Sequence, residues 1–489
     1  MKERSTEQCL NAVESEVFLR TIGKLYFPTS YKVCRDRYKS LLESAIEKFS
    51  PQKLVVLSVP GRTELGGNHT DHNRGKVLAA GICLDAVGAF EKAKSNVVSL
   101  FSEGYKNPFV VNLSCLEPVK AEEGSTEALI KGVAATLRRR GFKIGGWKGY
   151  VKSDVLPGLG LSSSAVIELL IGGVFNYLFN NGNIPRMELA LAGKYAENHY
   201  FGKPCGLMDQ IACAEGGIVA IDFGRSSSLK GNTQGYPLIE KLKLTFTDYG
   251  YQLVVIDTGA SHVDLGREYA SIPSDMKAVA SALGVEFLGN TTREQLLKNV
   301  SLLRVKAGDR AILRALHFFK ENLRVEDQVN ALKRKDIKSF LALVKESGDS
   351  SWKLLQNCYL RGDIPKVDFT EKPVPTASAN SKSCEPHSSF TNSAEWGGAP
   401  FAHSPLIVPP ITSHKSSEEW GVALGIVLTE EFTEKGGVAR VHGGGFTGTV
   451  QAYIPLELEE EYRRKMEGVF GEGSVTPLFI REEGITRVL

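Results

Sequence analysis

The sequence predicts an α+β fold in two domains. Strand-like and helix-like runs are mixed along the chain without regular βαβ repetition, which disfavours a doubly wound sheet. The chain has 489 residues, more than one hydrophobic core usually serves. Its 42% apolar and 24% charged residues are those of an ordinary globular protein.

The elements follow in order. An amphipathic run over 34–49 predicts a helix, and LVVLSVP at 54–60 a strand. Apolar or alternating runs at 77–90, 97–101 and 109–113 predict further strands. TEALIKGVAATLRRRG closes on basic residues and Gly141, a helix C-terminus. A strand near 147–153 leads through a Gly/Ser loop into an apolar helix from 163, and another helix covers 187–201. GGIVAIDF at 216–223 ends the first half as a strand. The segment 225–245, with RSSSLKGNTQG, is the best candidate for a connection between halves. YQLVVIDTG at 251–259 opens the second half, helices dominate from about 264 to 357, and a helix at 417–434 precedes a strand pair around GVARVHGGGFTGTVQAYIP. Residues 361–414 are rich in Pro and Ser, a composition that cannot bury much apolar surface and predicts a disordered insertion.

Charge and cysteine usage narrow the function classes. The net charge of +3 gives no support for a nucleic-acid or membrane partner. RRR at 138–140 and KRK at 333–335 sit in helical patterns with nearby acids and read as solvated faces. Eight Cys are scattered with no C-x-x-C pair, against a zinc site or disulfide scaffold and in keeping with a reducing compartment. No apolar secretory segment is visible in the polar N-terminus. The longest apolar stretch, 166–179, is too short for a bilayer and carries Glu168 and Asn176.

Four stretches carry chemistry. GRTELGGNHTDHNRGK at 61–76 crowds Arg62, Glu64, His69, Asp71 and His72 at a strand end. A metal site, a catalytic site and a polar turn are all open there. The two histidines lack the spacing of a helical H-x-x-x-H pair, and no third nitrogen or sulfur ligand is evident, which disfavours a transition metal. VLPGLGLSSSAVIELL at 155–170 is a Gly-rich turn, three serines and an apolar helix. Glycines allow close backbone approach, and free N–H groups at a helix start attract anions; read alone, the stretch is equally a capped loop. It is neither a Walker A loop nor a dinucleotide fingerprint. In CGLMDQ at 205–210, Asp209 has apolar and small neighbours and needs a partner to stay ionised. RVHGGGFTGTVQAYIP at 440–455 is, by itself, a tight hairpin.

Together these stretches resemble the GHMP kinase superfamily and, within it, the galactokinases. PGR-x4-G-x-HTD-x-N-x-G at 60–75 is similar to the family's N-terminal signature, GLGLSSSAV to its phosphate loop, CGLMDQ to its catalytic-Asp segment, and HGGGFTGTV at 442–450 to its third motif. Four motifs in the family's order are far more specific than any one. The resemblance covers almost the whole chain outside 361–414. It implies an N-terminal ribosomal-protein-S5-like domain over 20–230, a C-terminal α+β domain over 246–489, and ATP- and Mg²⁺-dependent phosphorylation of a sugar's anomeric hydroxyl. By the same resemblance Gly158, Gly160, Leu161, Ser162, Ser163, Ser164 and Ala165 cradle the ATP phosphates. Ser163 or Ser164, with Glu197, holds Mg²⁺. Asp209 receives the hydroxyl proton, and Arg62 sits beside it and the γ-phosphate. Asn68, His69, Asp71 and Tyr269 hold the sugar, while Gly443, Gly444 and Gly445 let the third motif approach the reacting centre. The protein is expected to be a cytoplasmic monomer whose partners are sugar and ATP.

Where galactokinases usually read RVNLIGEHTDYN, this chain reads RTELGGNHTDHN. Asn68 stands where the family has a Glu for the sugar's C6 hydroxyl, and Glu64 where it has an Asn. Galactose or a close relative is the expected substrate; a C6 variant such as galacturonate or arabinose is the alternative. A sugar-sensing, non-catalytic relative is a further reading, but intact Arg62, Asp209 and SSSA favour an enzyme. A mevalonate- or homoserine-type kinase is weaker, since HTD-x-N and CGLMDQ are sugar-kinase marks.

Overall fold

The computed structural model describes residues 3–155, 159–227, 236–259, 266–360, 420–433, 436–446 and 448–489. The expected insertion over 361–414, and Gly158 of the phosphate loop, lie outside the described residues. Residues described up to 360 and from 420 onward belong to one compact unit.

The strands are β1 (Arg4–Ser5), β2 (Lys53–Gly66), β3 (Lys76–Lys92), β4 (Val97–Ser102), β5 (Phe109–Asn112), β6 (Trp147–Ser153), β7 (Ile218–Ser227), β8 (Tyr236–Leu242), β9 (Tyr251–Asp257), β10 (Val438–Val441), β11 (Thr449–Pro455), β12 (Val475–Leu478) and β13 (Thr486–Arg487). Among the described residues they form two sheets. In the larger, the order is β1-β2-β3-β6-β4-β5, with β13 also on β2, β7 also on β3, and β8 on β7. The smaller has the order β10-β11-β9-β12.

Strand β2 shows why the larger sheet is a central layer. Its side chains alternate between two apolar clusters, as the two-residue period of a strand requires. Val55, Leu57 and Val59 pack into the cluster holding Leu169, Leu170 and Val174 of the helix Ser163–Phe179. Leu54 and Val56 pack instead with Tyr38, Leu41 and Leu42 of the helix Tyr31–Phe49. Each such fully buried aliphatic contributes roughly 1.5–3 kcal/mol. A strand covered on both faces reads as a continuous apolar run, which is how LVVLSVP reads.

Several expectations change. The stretch expected to leave the strand at Gly61 stays in it to Gly66, with register irregularities between Pro60 and Arg62 and between Glu64 and Gly66. Such bulges re-aim side chains beside functional sites. Of the expected connection at 225–245, residues 228–235 lie outside the described residues; on either side of them are the end of β7 and the whole of β8, which pair antiparallel in the larger sheet. The polar N-terminus forms helices Thr6–Val13 and Glu16–Tyr26, each started by a serine whose hydroxyl accepts a backbone N–H, Ser5 and Ser15.

The N-terminal helices are locked to the sheet by one buried carboxylate. Asp85, fully buried on β3, accepts from Arg37 at 2.6 Å, Arg481 at 2.8 Å, Tyr26 at 2.6 Å and the Ser58 hydroxyl. Burial alone would raise its pKa, but the two guanidinium groups and the hydroxyl donors hold it below the usual carboxylate value. Removing the carboxylate strands buried Arg481 without its counter-charge. Asp85→Ala should therefore destabilise the protein by about 3–5 kcal/mol in denaturant unfolding; a loss under about 1 kcal/mol would show that the hub does not hold these segments together.

Candidate active site

The site forms where four separated segments meet: the end of β2 with its loop, the start of the helix Ser163–Phe179, the start of the helix Met208–Glu215, and the glycine turn between β10 and β11. At its centre Arg62 Nε donates to Asp209 Oδ1 at 2.7 Å and Nη2 donates to Oδ2 at 2.8 Å. This paired geometry fixes both side chains. Arg62 Nη1 donates to the carbonyl of Gly160, and its backbone N–H to the carbonyl of Leu161 at 3.2 Å. The Ser162 hydroxyl donates to Asp209 Oδ2. One arginine thus ties the expected catalytic carboxylate to the expected phosphate loop.

Asp209 keeps 30% of its side chain exposed, against 7% for Arg62. Burial pushes its pKa up, but the charge and hydrogen bonds of Arg62, the Ser162 hydroxyl and the charge of Lys203 outweigh it and hold it below the ordinary value. Asp209 is therefore an ionised, weak base at neutral pH.

The loop serines divide their roles. Ser162 sits at the helix start with φ of 64° and makes no side-chain cap; its hydroxyl goes to Asp209 instead. Ser163 opens the helix, and the Ser164 hydroxyl donates to Glu197 Oε1 at 2.8 Å. Leu161 and Ala165 are buried beneath the loop. Glu197 also accepts from Lys203 Nζ at 3.1 Å and Gln210 Nε2 at 3.1 Å. Gln210 Nε2 reaches Glu168 Oε2 at 3.0 Å as well. Burial first, and the neighbouring Glu197 second, push the Glu168 carboxyl well up. A serine hydroxyl beside a carboxylate is an oxygen donor set of the kind that suits Mg²⁺.

The opposite wall is the HTDH loop. His69 has φ of 57°, an unusual conformation for a non-glycine residue. Its Nε2 lies 3.0 Å from the Gly444 carbonyl, which can only accept, so the proton sits on Nε2 and Nδ1 is left as an acceptor. Burial, then the neighbouring His72, lowers its pKa to about 4, so it is neutral at physiological pH. Asp71 lies under CGLMDQ: a Cβ on Gly206 would stand 1.5 Å from its Oδ2. Half-buried Tyr269 donates to the Gly445 carbonyl at 3.3 Å and packs edge-on against Phe446. The three glycines of the third motif thus present successive carbonyls to Asn68, His69 and Tyr269.

Asn68 departs from expectation. It is fully buried, and its amide donates to Glu64 Oε1 at 3.0 Å and the Gly443 carbonyl at 2.7 Å while accepting from Asn357 Nδ2 at 2.9 Å. A buried amide is held by such partners, and here protein supplies them. Glu64 in turn pairs with the buried Arg440. The loop is braced from behind by the helix Asp309–Lys333: His317 Nε2 donates to the Asn68 carbonyl at 2.9 Å, and Glu321 accepts from the Gly67 N–H at 3.1 Å. Asn357, His317, Glu321, Arg440 and Lys203 were not singled out in the sequence. Of these, Lys203, two residues before CGLMDQ, and Arg440, which opens RVHGGGFTGTVQAYIP, lie close enough to a motif to be noticed.

Because Gly206 touches Asp71, Gly206→Ala should displace that carboxylate while leaving the Arg62–Asp209 pair in place. The Michaelis constant for the sugar should rise by about 10-fold or more, with ATP affinity within about 2-fold. An unchanged sugar Michaelis constant would remove Asp71 from the sugar wall.

The chain is similar to known proteins in both sequence and fold. Residues 128–217 match the GHMP kinases N terminal domain, and residues 46–92 match the galactokinase galactose-binding signature. Galactokinase of Pyrococcus furiosus is 31% identical over 321 residues, 65% of this chain and 82% of that protein. Galactokinase of Lactococcus lactis subsp. lactis is 29% identical over 315 residues, 63% of this chain and 75% of the relative. The crystal structure of Lactococcus lactis galactokinase complexed with galactose has the same fold, with a TM-score of 0.68 over 92% of this chain and 99% of that one at 22% identity. Methanococcus jannaschii mevalonate kinase is more distant, with a TM-score of 0.53 at 14% identity over 87% of this chain and 98% of its own.

Proposed function

The chain belongs to the galactokinase family, and from that premise we propose that it transfers the γ-phosphoryl group of ATP to the anomeric hydroxyl of galactose or a close relative, releasing ADP and the sugar 1-phosphate. The observation that carries this reading is the Arg62 fork, which holds Asp209 against the loop residues Gly160, Leu161 and Ser162. An acceptor-orienting carboxylate and a phosphate-binding loop must adjoin for phosphoryl transfer, where positioning and charge neutralisation dominate.

In this reading the sugar hydroxyl donates to Asp209. A carboxylate held below its ordinary pKa is a poor base, so it orients the hydroxyl first and takes its proton late, as the bond to phosphorus forms. His69 Nδ1 accepts from a sugar hydroxyl, with Asp71 and Tyr269 completing the wall. Asn68 acts from behind, fixing the loop that carries His69. Ser164 and Glu197 would hold Mg²⁺, which supplies charge neutralisation on the phosphates. The backbone from 159 to 165 faces the phosphates. Among the described residues no helix is long and apolar enough to cross a membrane, and the described cysteines are free thiols.

A second reading concerns the substrate alone. With Asn68 buried and the Glu64 carboxylate turned onto Arg440, position 68 offers no carboxylate to a C6 hydroxyl. This favours tolerance of galacturonate or arabinose beside galactose. An ADP-release assay over these sugars decides it: sole, strong use of galactose dismisses the second reading.

For the main reading, Asp209→Asn should lower kcat by about 10³-fold, from loss of acceptor orientation and of the base together, with the thermal midpoint near wild type. Near-normal turnover in that variant would refute the proposed role.

A further inference from the structure

Lys203 lies between the segments that the proposed reaction uses. It follows the π-helical turn Glu197–Phe201 and Gly202, and its backbone N–H returns to the Glu197 carbonyl at 3.1 Å. Its ammonium reaches Glu197 Oε1 at 3.1 Å, the oxygen that accepts from Ser164 at the start of the phosphate-loop helix. The side chain is nevertheless 60% exposed, while Glu197 is only 3% exposed. A long, exposed stem resting its charge on a buried carboxylate can swing without unfolding anything. Its charge is also felt at Asp209, whose pKa it helps lower, and at Tyr269.

The charge balance gives this lysine a purpose. Arg62 is committed in full to Asp209 and to the Gly160 carbonyl. Two carboxyl side chains, Glu197 and Asp209, already flank this place, and a nucleoside triphosphate brings several negative charges to it. If Ser164 and Glu197 held Mg²⁺, Lys203 would need another anionic partner in place of Glu197, and the phosphates would be the nearest supply of one.

We propose that Lys203 is a further catalytic residue, its ammonium contacting the γ-phosphoryl oxygens of the bound nucleotide. This rests on the kinase reading above. In the step it serves, a bond forms between the sugar's anomeric oxygen and the γ-phosphorus. The bond from that phosphorus to the β,γ-bridging oxygen breaks, and its electron pair leaves with ADP. The hydroxyl proton goes to the Asp209 carboxylate. Lys203 makes and breaks no covalent bond; it neutralises the oxygens that carry the charge.

The test uses the full chain with Lys203→Met and Lys203→Arg. Calorimetry with Mg²⁺, without sugar, gives the affinities for ADP and for a non-hydrolysable ATP analogue. Kinetics give kcat and the sugar Michaelis constant. Lys203→Met should weaken the triphosphate analogue about 10-fold relative to ADP and lower kcat roughly 10²-fold, with the sugar constant unchanged. Lys203→Arg should recover much of both, since it keeps the charge. An unchanged triphosphate-to-diphosphate ratio overturns the proposal. So does a loss of kcat that extra Mg²⁺ fully restores, because Lys203 would then only set Glu197. A wild-type protein that phosphorylates no sugar, but loses its triphosphate preference in Lys203→Met, supports the contact and refutes the functional reading instead.

Discussion

The pairing of Arg62 with Asp209 is the constraint on which the site depends. Two guanidinium nitrogens hold the carboxylate and a third holds the phosphate loop, so residues 147 positions apart become one rigid unit. The pair is half-sheltered: Arg62 is almost buried, whereas Asp209 keeps one side open. That asymmetry lets the carboxylate face a substrate while its partner stays fixed. In the proposed reaction it also favours orientation over early proton removal, since a carboxylate clamped by a cation is a poor base.

Around this unit the backbone is held in uncommon conformations. His69, Ser162 and Phe446 all have positive φ, at 57°, 64° and 65°. Each lies in a different motif, and each places a neighbouring group on the site. Such conformations persist where surrounding structure over-determines them. Here the bracing comes from Asn357, whose carbonyl accepts the Phe446 N–H and whose amide holds Asn68, and from the helix carrying His317 and Glu321.

Much of this was legible in the sequence, because each motif pairs a local backbone need with a chemical group. The glycines and serines of 159–165, the Asp209 segment and the triple glycine lie where their residue types led. The apolar run of β2 and the helix Ser163–Phe179 were equally plain, since burial on both faces leaves no polar interruption. What could not be read were partnerships across long separations. Nothing local to Arg440 or Glu321 announces that one meets Glu64 and the other Gly67. Nor does the exchange of Glu and Asn at 64 and 68 announce that the amide would turn inward. Residues 61–66 look like a turn because of their glycines, yet they complete a strand whose bulges re-aim Arg62.

The most direct measurement of the central claim is the pH dependence of kcat/KM in wild type and in Arg62→Met. If Arg62 holds the Asp209 carboxyl down against burial, the wild-type acid limb lies below the ordinary aspartate value of about 3.9. Removing the cation leaves burial dominant, so the variant's residual activity should fall through a limb moved to higher pH, by one unit or more. A limb at the same pH in both proteins would contradict the account, because Arg62 would then not govern the carboxylate that the site is built around.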